Sequence, residues 1–283
     1  MIPACCVIKA CESVYDCLKL KTTDMKTRFI VLLLSLGLIG ATAFAADNSF
    51  VGKWKFNPDK SQMTGMQYKI EDAGGGKYNF SFGDDVETMT LDGKPHTTKY
   101  GNIWSIKTTG PNSWESTTKR DGKVTENEKW TVSDDGQTFT SMSESMRPDG
   151  SKGKSEATLK RTGGTSGLAG SWESTSVKVL SPTMIQVATW EKDGYSLINP
   201  TYKEHLNFKA DGKDYTPTGP RVAKGTTVAA KKVDDQTIEL TYKLKDKTVE
   251  TDSWQLSADG KTLTNTVTFP GQSKPEVDVH DRQ

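Results

Sequence analysis

Three histidines, His96, His205 and His280, are the first candidates for metal or acid–base chemistry in this sequence. A metal site built from imidazoles needs two or three of them at short, fixed spacing. These three lie far apart and form neither a His-x-His nor a His-Glu-x-x-His motif. We therefore expect no metal site and no cofactor.

Carboxylates are plentiful, but their spacing favours a structural role. General acid–base catalysis needs two carboxylates that face each other in a cleft with separated pKa values. The adjacent aspartates lie instead beside turn signals, where their side chains commonly cap the backbone. The sequence also lacks a Gly-x-Ser-x-Gly elbow for acyl transfer. We therefore expect a protein that is not an enzyme. The aspartate pairs are Asp84-Asp85, Asp134-Asp135 and Asp234-Asp235.

The N-terminal region has the pattern of an export signal. Residues 25–46 read MKTRFIVLLLSLGLIGATAFAA, with a basic head, a short apolar run and an Ala-x-Ala cleavage pattern. This predicts a signal peptide over 25–45, with residues 1–24 as a mis-annotated or disordered extension, and a protein exported to the periplasm or the extracellular space. We expect no stable membrane span after cleavage. The four cysteines all precede this cleavage site and contain no Cys-x-x-Cys: Cys5, Cys6, Cys11 and Cys17.

Charge gives little reason to expect a polyanionic partner. Of 37 basic and 36 acidic residues, five and three lie in the first 46 positions, which leaves 32 and 33 in the remainder. A net charge near −1 does not favour binding to nucleic acid or to an anionic membrane. The sequence does not indicate a particular protein partner.

The sequence contains an internal repeat, so the elements that would position any site occur twice along the chain. Residues 130–140 read WTVSDDGQTFT and residues 254–264 read WQLSADGKTLT. Gly52-x-Trp54 opens the first copy, Gly170-x-Trp172 opens the second, and a flexible TGGTS stretch separates them. This internal similarity predicts a duplicated unit, with domains over 46–162 and 167–283.

Each copy has the pattern of a β meander. Apolar and polar residues alternate in runs such as YNFSF at 78–82 and IELTYKL at 238–244, and Asp-Gly turn signals recur about every ten residues. Each half has material for about eight to ten strands. Because an open meander would expose two edges, we expect an all-β fold of two tandem antiparallel barrels.

Short motifs carry a resemblance to a family. Residues 50–61 (FVGKWKFNPDKS), 211–219 (DGKDYTPTG) and 259–264 (DGKTLT) resemble motifs of exported bacterial proteins with lipocalin-like or fatty-acid-binding-protein-like barrels, most of which are uncharacterised. The resemblance implies a ligand-binding barrel. It does not extend to fatty acids, because the chain shows neither a helix pair after the first strand nor an Arg-x-Tyr near its end.

Two sets of residues follow as candidates for the interior. Gly52, Trp54, Gly170 and Trp172 are expected to form structural barrel plugs, since a tryptophan on the first strand can fill a barrel end and glycine lets the neighbouring backbone approach. An eight-stranded barrel has room for packed side chains or for one small ligand. The ligand-facing candidates are Tyr78, Phe80, Phe82, Trp104, Tyr242 and Leu244.

The sequence thus predicts an exported, non-enzymatic protein that binds a small apolar or amphipathic ligand inside a barrel. One alternative is a periplasmic protein-interaction or protease-inhibitor-like module, because LAGSW at 168–172 resembles the opening of small inhibitor barrels. The least favoured alternative is a lipocalin-like enzyme with a histidine and a carboxylate in the barrel mouth. Its candidates are His205 with Glu204, or His96.

Overall fold

The computed structural model describes residues 48–98 and 100–283, so the predicted extension and signal peptide lie outside the described residues. The described part begins with one 3₁₀ turn, Asn48–Phe50, and continues in strands. Twenty strands form two antiparallel sheets of ten, each nearly closed into a barrel. The predicted all-β class, the two barrels and the strand number are therefore confirmed. No helix among the described residues is long and apolar enough to cross a membrane.

The first barrel is a continuous stretch of the chain. Its strands, in spatial order, are β4 (Asp85–Thr90), β3 (Lys77–Phe82), β2 (Gln67–Gly74), β11 (Gly170–Val179), β10 (Lys152–Gly163), β9 (Thr138–Met146), β8 (Lys123–Val132), β7 (Ser113–Arg120), β6 (Ile103–Gly110) and β5 (His96–Thr97).

The second barrel combines one N-terminal strand with the C-terminal part of the chain. Its strands, in spatial order, are β14 (Glu204–Lys209), β13 (Gly194–Asn199), β12 (Met184–Trp190), β1 (Gly52–Phe56), β20 (Glu276–Arg282), β19 (Thr262–Thr268), β18 (Lys247–Leu256), β17 (Thr237–Leu244), β16 (Thr226–Lys232) and β15 (Asp211–Tyr215).

The two repeats have exchanged their opening strands. The predicted division at 162 and 167 assigned each Gly-x-Trp strand to the copy that follows it. In the structure β1 pairs with β12 and β20, whereas β11 pairs with β2 and β10. The strand order of the two sheets is otherwise the same. The physical reason is the short connection from Gly163 to Gly170, which turns β11 back onto β10. Because β11 then belongs to the first barrel, β1 occupies the equivalent position beside β20 in the second.

The repeated phrase of the sequence forms the same hairpin turn in both barrels. Ser133 Oγ donates to Asp135 Oδ1 at 2.6 Å, and the amide of Thr138 donates back to Ser133 Oγ at 2.9 Å. Ser257 and Asp259 make the matching bond at 2.7 Å. Side chains of this kind replace backbone partners in tight turns, which explains why serine, aspartate and glycine recur in register.

Each barrel is closed by short pairings between its edges. In the first barrel Asp92, just after β4, bridges to Lys107 on β6. In the second, His205 on β14 bridges to Thr218 through two backbone hydrogen bonds of 2.9 and 2.8 Å. These pairings cover sheet edges that would otherwise be open to other chains.

The two barrels also contact each other. Segments 57–66 and 180–183 cross between them, and Met66 packs in one apolar cluster with Val267 and Phe269. The ring of Phe82 lies 5.7 Å from that of Phe269. Arg120 donates to the backbone oxygen of Arg221 at 3.0 Å across the same region.

Candidate functional site

An indole–guanidinium pair covers one end of the second barrel. Trp54 is fully buried, its Nε1 donates to Phe50 O at 3.0 Å, and the guanidinium of Arg282 lies 4.1 Å from the centre of its ring. Cation–π stacking and charge-assisted hydrogen bonds together fix this arrangement. The guanidinium also donates, at 2.5–2.7 Å, to the backbone oxygens of Ser49, Val51 and Gly260.

The first barrel repeats this pair. Trp172 is fully buried, donates to Leu168 O at 3.0 Å, and carries Arg161 at 4.1 Å over its ring. A Cβ on Gly52 would lie 2.5 Å from the guanidinium of Arg282, and one on Gly170 would lie closer still to that of Arg161. The glycine of Gly-x-Trp thus makes room for the arginine that stacks on the tryptophan two residues later.

Both barrels are hollow. The second barrel contains a cavity of about 320 Å³ and the first a cavity of about 210 Å³. Phe82 lines both, so the two cavities meet near the contact between the barrels. Protein interiors are normally packed without voids of this size, so each cavity is a candidate site.

Buried acids with protein partners mark the first cavity. Glu126, on β8, accepts a hydrogen bond from Ser143 Oγ at 2.5 Å, and Glu128 accepts one from Ser141 Oγ at 3.1 Å. On β4, Asp85 accepts a hydrogen bond from Tyr100 at 3.0 Å, and Glu87 lies 3.0 Å from His96 Nε2. Each of these carboxyl groups therefore has a partner within its own barrel.

The second cavity holds more acids and fewer donors. Glu250 and Asp252 on β18 are at the positions of Glu126 and Glu128 and are 3 % and 4 % exposed. Glu276 and Asp278 on β20, and Glu204 on β14, line the same cavity. Asn265 Nδ2 donates to Asp252 Oδ2 at 2.9 Å. Five carboxyl groups thus line one cavity.

Burial raises the pKa of every acid that lines the second cavity. Burial, reinforced by Asp252, raises the pKa of Glu250 well above 4.5. Burial raises the pKa of Asp252 to about 6 and that of Glu276 to about 7. Burial, with the nearby charges of Glu276 and Asp252, raises the pKa of Asp278 well above 3.8. Near neutral pH the cavity therefore holds both protons and negative charge.

Further groups complete the electrostatics of both interiors. Burial raises the pKa of Glu204 to about 7, and Arg221 opposes that rise. Burial lowers the pKa of His280 to about 4, so its ring is neutral at pH 7. In the first barrel, burial and the charge of Glu128 raise the pKa of Glu126 to about 8.

Four of the six predicted ligand-facing residues line a cavity, and two do not. Phe80, Phe82 and Trp104 line the first cavity, and Tyr242 lines the second. Tyr78 is half-buried against the core of the first barrel, and Leu244 is half-buried at the end of β17. Neither belongs to the described lining of a cavity.

The histidines considered from the sequence do not converge. His205 is exposed and its Nε2 lies 2.7 Å from Ser196 Oγ, whereas its neighbour Glu204 is half-buried. His96 belongs to the first barrel, where it contacts Glu87. His280 packs its ring on Phe56 at 5.4 Å. Among the described residues, no group of three or more histidine, cysteine, aspartate or glutamate side chains is placed to hold a metal ion.

The sequence prediction missed the interior acids. Glu250, Asp252 and Trp254 alternate along β18, as do Glu126, Glu128 and Trp130 along β8. Residues two apart on a strand share a face, so acids in step with a buried tryptophan point inward. This alternation of acids with a tryptophan is the sequence signal that could have predicted the interior acids.

The fold and its cavities define an all-β protein with two hollow, acid-lined barrels that exchange their first strands. Comparisons with known proteins found no matching family model, no matching curated protein and no matching solved structure.

Proposed function

We propose that this is an exported, non-enzymatic protein that binds a small amphipathic molecule in the cavity of the second barrel. The observation that carries the proposal is the cavity itself. Its volume of about 320 Å³ reaches the range of small-molecule sites, which starts at roughly 300 Å³. The cavity of the first barrel, about 210 Å³, falls below that range.

The lining of the second cavity suits an amphipathic molecule. Aromatic and aliphatic side chains form one part of the wall, and the acids of β18 and β20 form the other. Sites for small molecules commonly combine such an apolar wall with a few polar groups that fix orientation. The apolar wall includes Phe56, Ile185, Leu197, Trp254 and Phe269.

Titration with N-phenyl-1-naphthylamine, an apolar dye that fluoresces when it leaves water, tests the proposal. We expect saturable binding to the full chain at a stoichiometry of one. Leu197 lines the second cavity, and its counterpart in the first barrel is Phe80. Leu197→Phe should weaken binding by filling the cavity. Native mass spectrometry of the purified protein adds a check for a molecule that copurifies.

A matched variant separates filling of the cavity from a general effect of added bulk. Ile198 is the next residue on β13 and therefore points to the other face of the strand. Ile198→Phe should leave the affinity for the dye unchanged. Absence of saturable dye binding, together with a native mass spectrum free of any bound molecule, would refute the proposed function.

A further inference from the structure

Polar atoms without partners collect on three neighbouring strands of the second barrel. Glu250 Oε2 and Asp252 Oδ1 on β18, Asn265 Oδ1 on β19, and Asp278 Oδ1 and His280 Nδ1 on β20 are buried and have no hydrogen-bond partner outside this group. Within the group, the carboxyl groups of Glu250 and Asp252 interact with each other. Glu250, Asp252 and His280 are at least nine-tenths buried, and Asn265 and Asp278 are half-buried. A buried polar group without a partner is costly, so such a cluster points to a ligand that supplies donors.

The first barrel provides an internal comparison. There Ser141 and Ser143 donate to Glu128 and Glu126, and the buried Ser116 lies opposite Glu128 in the β7–β8 pairing. The second barrel keeps the acids but replaces these hydroxyl groups. The residues at the corresponding positions are Leu240, Asn265 and Val267.

The second barrel also gains acids. Glu276 and Asp278 on β20 occupy the positions that Ser155 and Ala157 occupy on β10. Of the described residues that line the second cavity, Arg221 is the one lysine or arginine. Its Nη2 donates to Met146 O at 2.6 Å, and its guanidinium lies 5.2 Å from the ring of Tyr202. Five carboxyl groups thus share one basic side chain at the edge of their cavity.

From this geometry we propose that the second cavity is selective for an organic cation, a protonated amine carried on an apolar body. This inference rests on the proposed function, because it names the ligand class of the same site. An ammonium group presents several N–H donors and a positive charge, which match the unpartnered acceptors on β18, β19 and β20. The aromatic and aliphatic wall receives the apolar body, and the indole of Trp254 adds a face suited to a cation.

Proton release accompanies binding of the amine. A positive charge beside Asp252, Glu276 and Asp278 favours their ionised forms, so these acids give up protons when the ligand enters. The affinity for an amine that stays protonated throughout this range therefore rises between pH 5 and pH 8. The other titratable or charged groups that line the cavity are Tyr202, Glu204, His205, Arg221, Tyr242, Glu250 and His280.

The test uses three probes of nearly equal size and different charge: 4-phenylbutylamine, 4-phenylbutanol and 4-phenylbutyrate. Isothermal titration of the full chain at pH 8 measures each affinity. We expect the amine to bind at least about tenfold more tightly than the alcohol, the effect of one charge-assisted hydrogen bond. The butyrate should bind most weakly. Amine affinity should fall at pH 5, where protons compete for the acids.

Variants identify the acids that are responsible for the preference for the amine. The double change Glu276→Ser with Asp278→Ala installs the residues of the first barrel, and Glu276→Gln with Asp278→Asn keeps the side-chain shapes. Each should lower the affinity for the amine about tenfold or more and leave that for the alcohol unchanged. Glu239→Gln, on the exposed face of β17, is the control and should change neither affinity.

The outcomes separate this inference from the proposed function. Equal affinity for the amine and the alcohol, or full amine binding by both double variants, would overturn the amine proposal while leaving a ligand-binding barrel intact. Failure of all three probes and of the naphthylamine dye would overturn both. Far-UV circular dichroism shows whether each double variant is folded, and the shape-preserving pair provides a second reading if the other variant unfolds.

Discussion

Replacing one interior acid by its neutral amide should make the unliganded protein more stable at high pH. Glu276 is half-buried and has a pKa of about 7 in the folded protein instead of 4.5, chiefly because of burial and also because of the charge of Asp252. Between these two pH values the unfolded chain loses the proton and the folded protein keeps it. The folded state therefore loses stability as pH rises through this range.

The size of the effect follows from the shift. A rise from 4.5 to about 7 corresponds to about 3 kcal/mol of lost stability above pH 7 and to none below pH 4. Glu276→Gln removes the ionisation, so the variant should exceed the parent by up to about 3 kcal/mol at pH 8 and equal it at pH 4. In a protein of this size that difference raises Tm by roughly 6–12 °C.

Urea unfolding followed by tryptophan fluorescence at pH 4 and pH 8 measures the effect. The control is Glu144→Gln on the exposed face of β9, because the hydrogen bond and charge of Lys152 lower the pKa of Glu144. That carboxylate stabilises the fold above pH 4.5, so the control should lose a little stability at pH 8. A difference between Glu276→Gln and the parent that is the same at both pH values would refute the argument from burial.

Two more predictions concern the ends and walls of the barrels. Arg282→Met should destabilise the second barrel by at least about 2 kcal/mol, because it removes three hydrogen bonds to carbonyl groups and the stacking on Trp54. Arg161→Met should destabilise the first barrel by a similar amount for the same reason. Thermal unfolding checks both, and unchanged midpoints would show that the guanidinium groups do not hold the barrel ends. Ser143→Val should cost about 1–3 kcal/mol because it leaves Glu126 without its donor, and urea unfolding measures this. Ser143→Thr, which is β-branched like valine but keeps the donor hydroxyl, is the control and should cost less.

Much of the fold was predictable from local patterns. The alternating runs at 78–82 and 238–244 became β3 and β17, and the Ser-x-Asp-Gly phrases became matching hairpin turns. These features depend on residues close together in the chain. The two barrels follow from them because a long meander must cover its edges.

The strand exchange was not predictable in the same way. GKWKF of β1 and GSWES of β11 share the same buried glycine–tryptophan face, so either sheet could accept either strand. The choice depends on the lengths and paths of the connecting segments, which composition does not reveal.

The acidic interior was missed for another reason. Charged residues are seldom buried without partners, so alternating Glu and Asp suggest an outer face. Here Glu250 and Asp252 lie on the same face as Trp254 and point inward.

Cysteine cross-linking tests most directly how the second barrel and its cavity are built. Lys53 on β1 lies opposite Gln186 on β12. Without the exchange, Lys53 would take the place of Ser171 and lie opposite Lys69 on β2. Opposed residues of antiparallel strands have the Cα separation that a disulfide needs.

The measurement compares two double-cysteine proteins in which the cysteines at positions 5, 6, 11 and 17 are serine. Oxidation followed by non-reducing peptide mapping detects each cross-link. We expect Lys53→Cys with Gln186→Cys to form the disulfide, and Lys53→Cys with Lys69→Cys to stay reduced. The opposite result would show that β1 closes the first barrel, and the second cavity would then lose Phe56 from its wall.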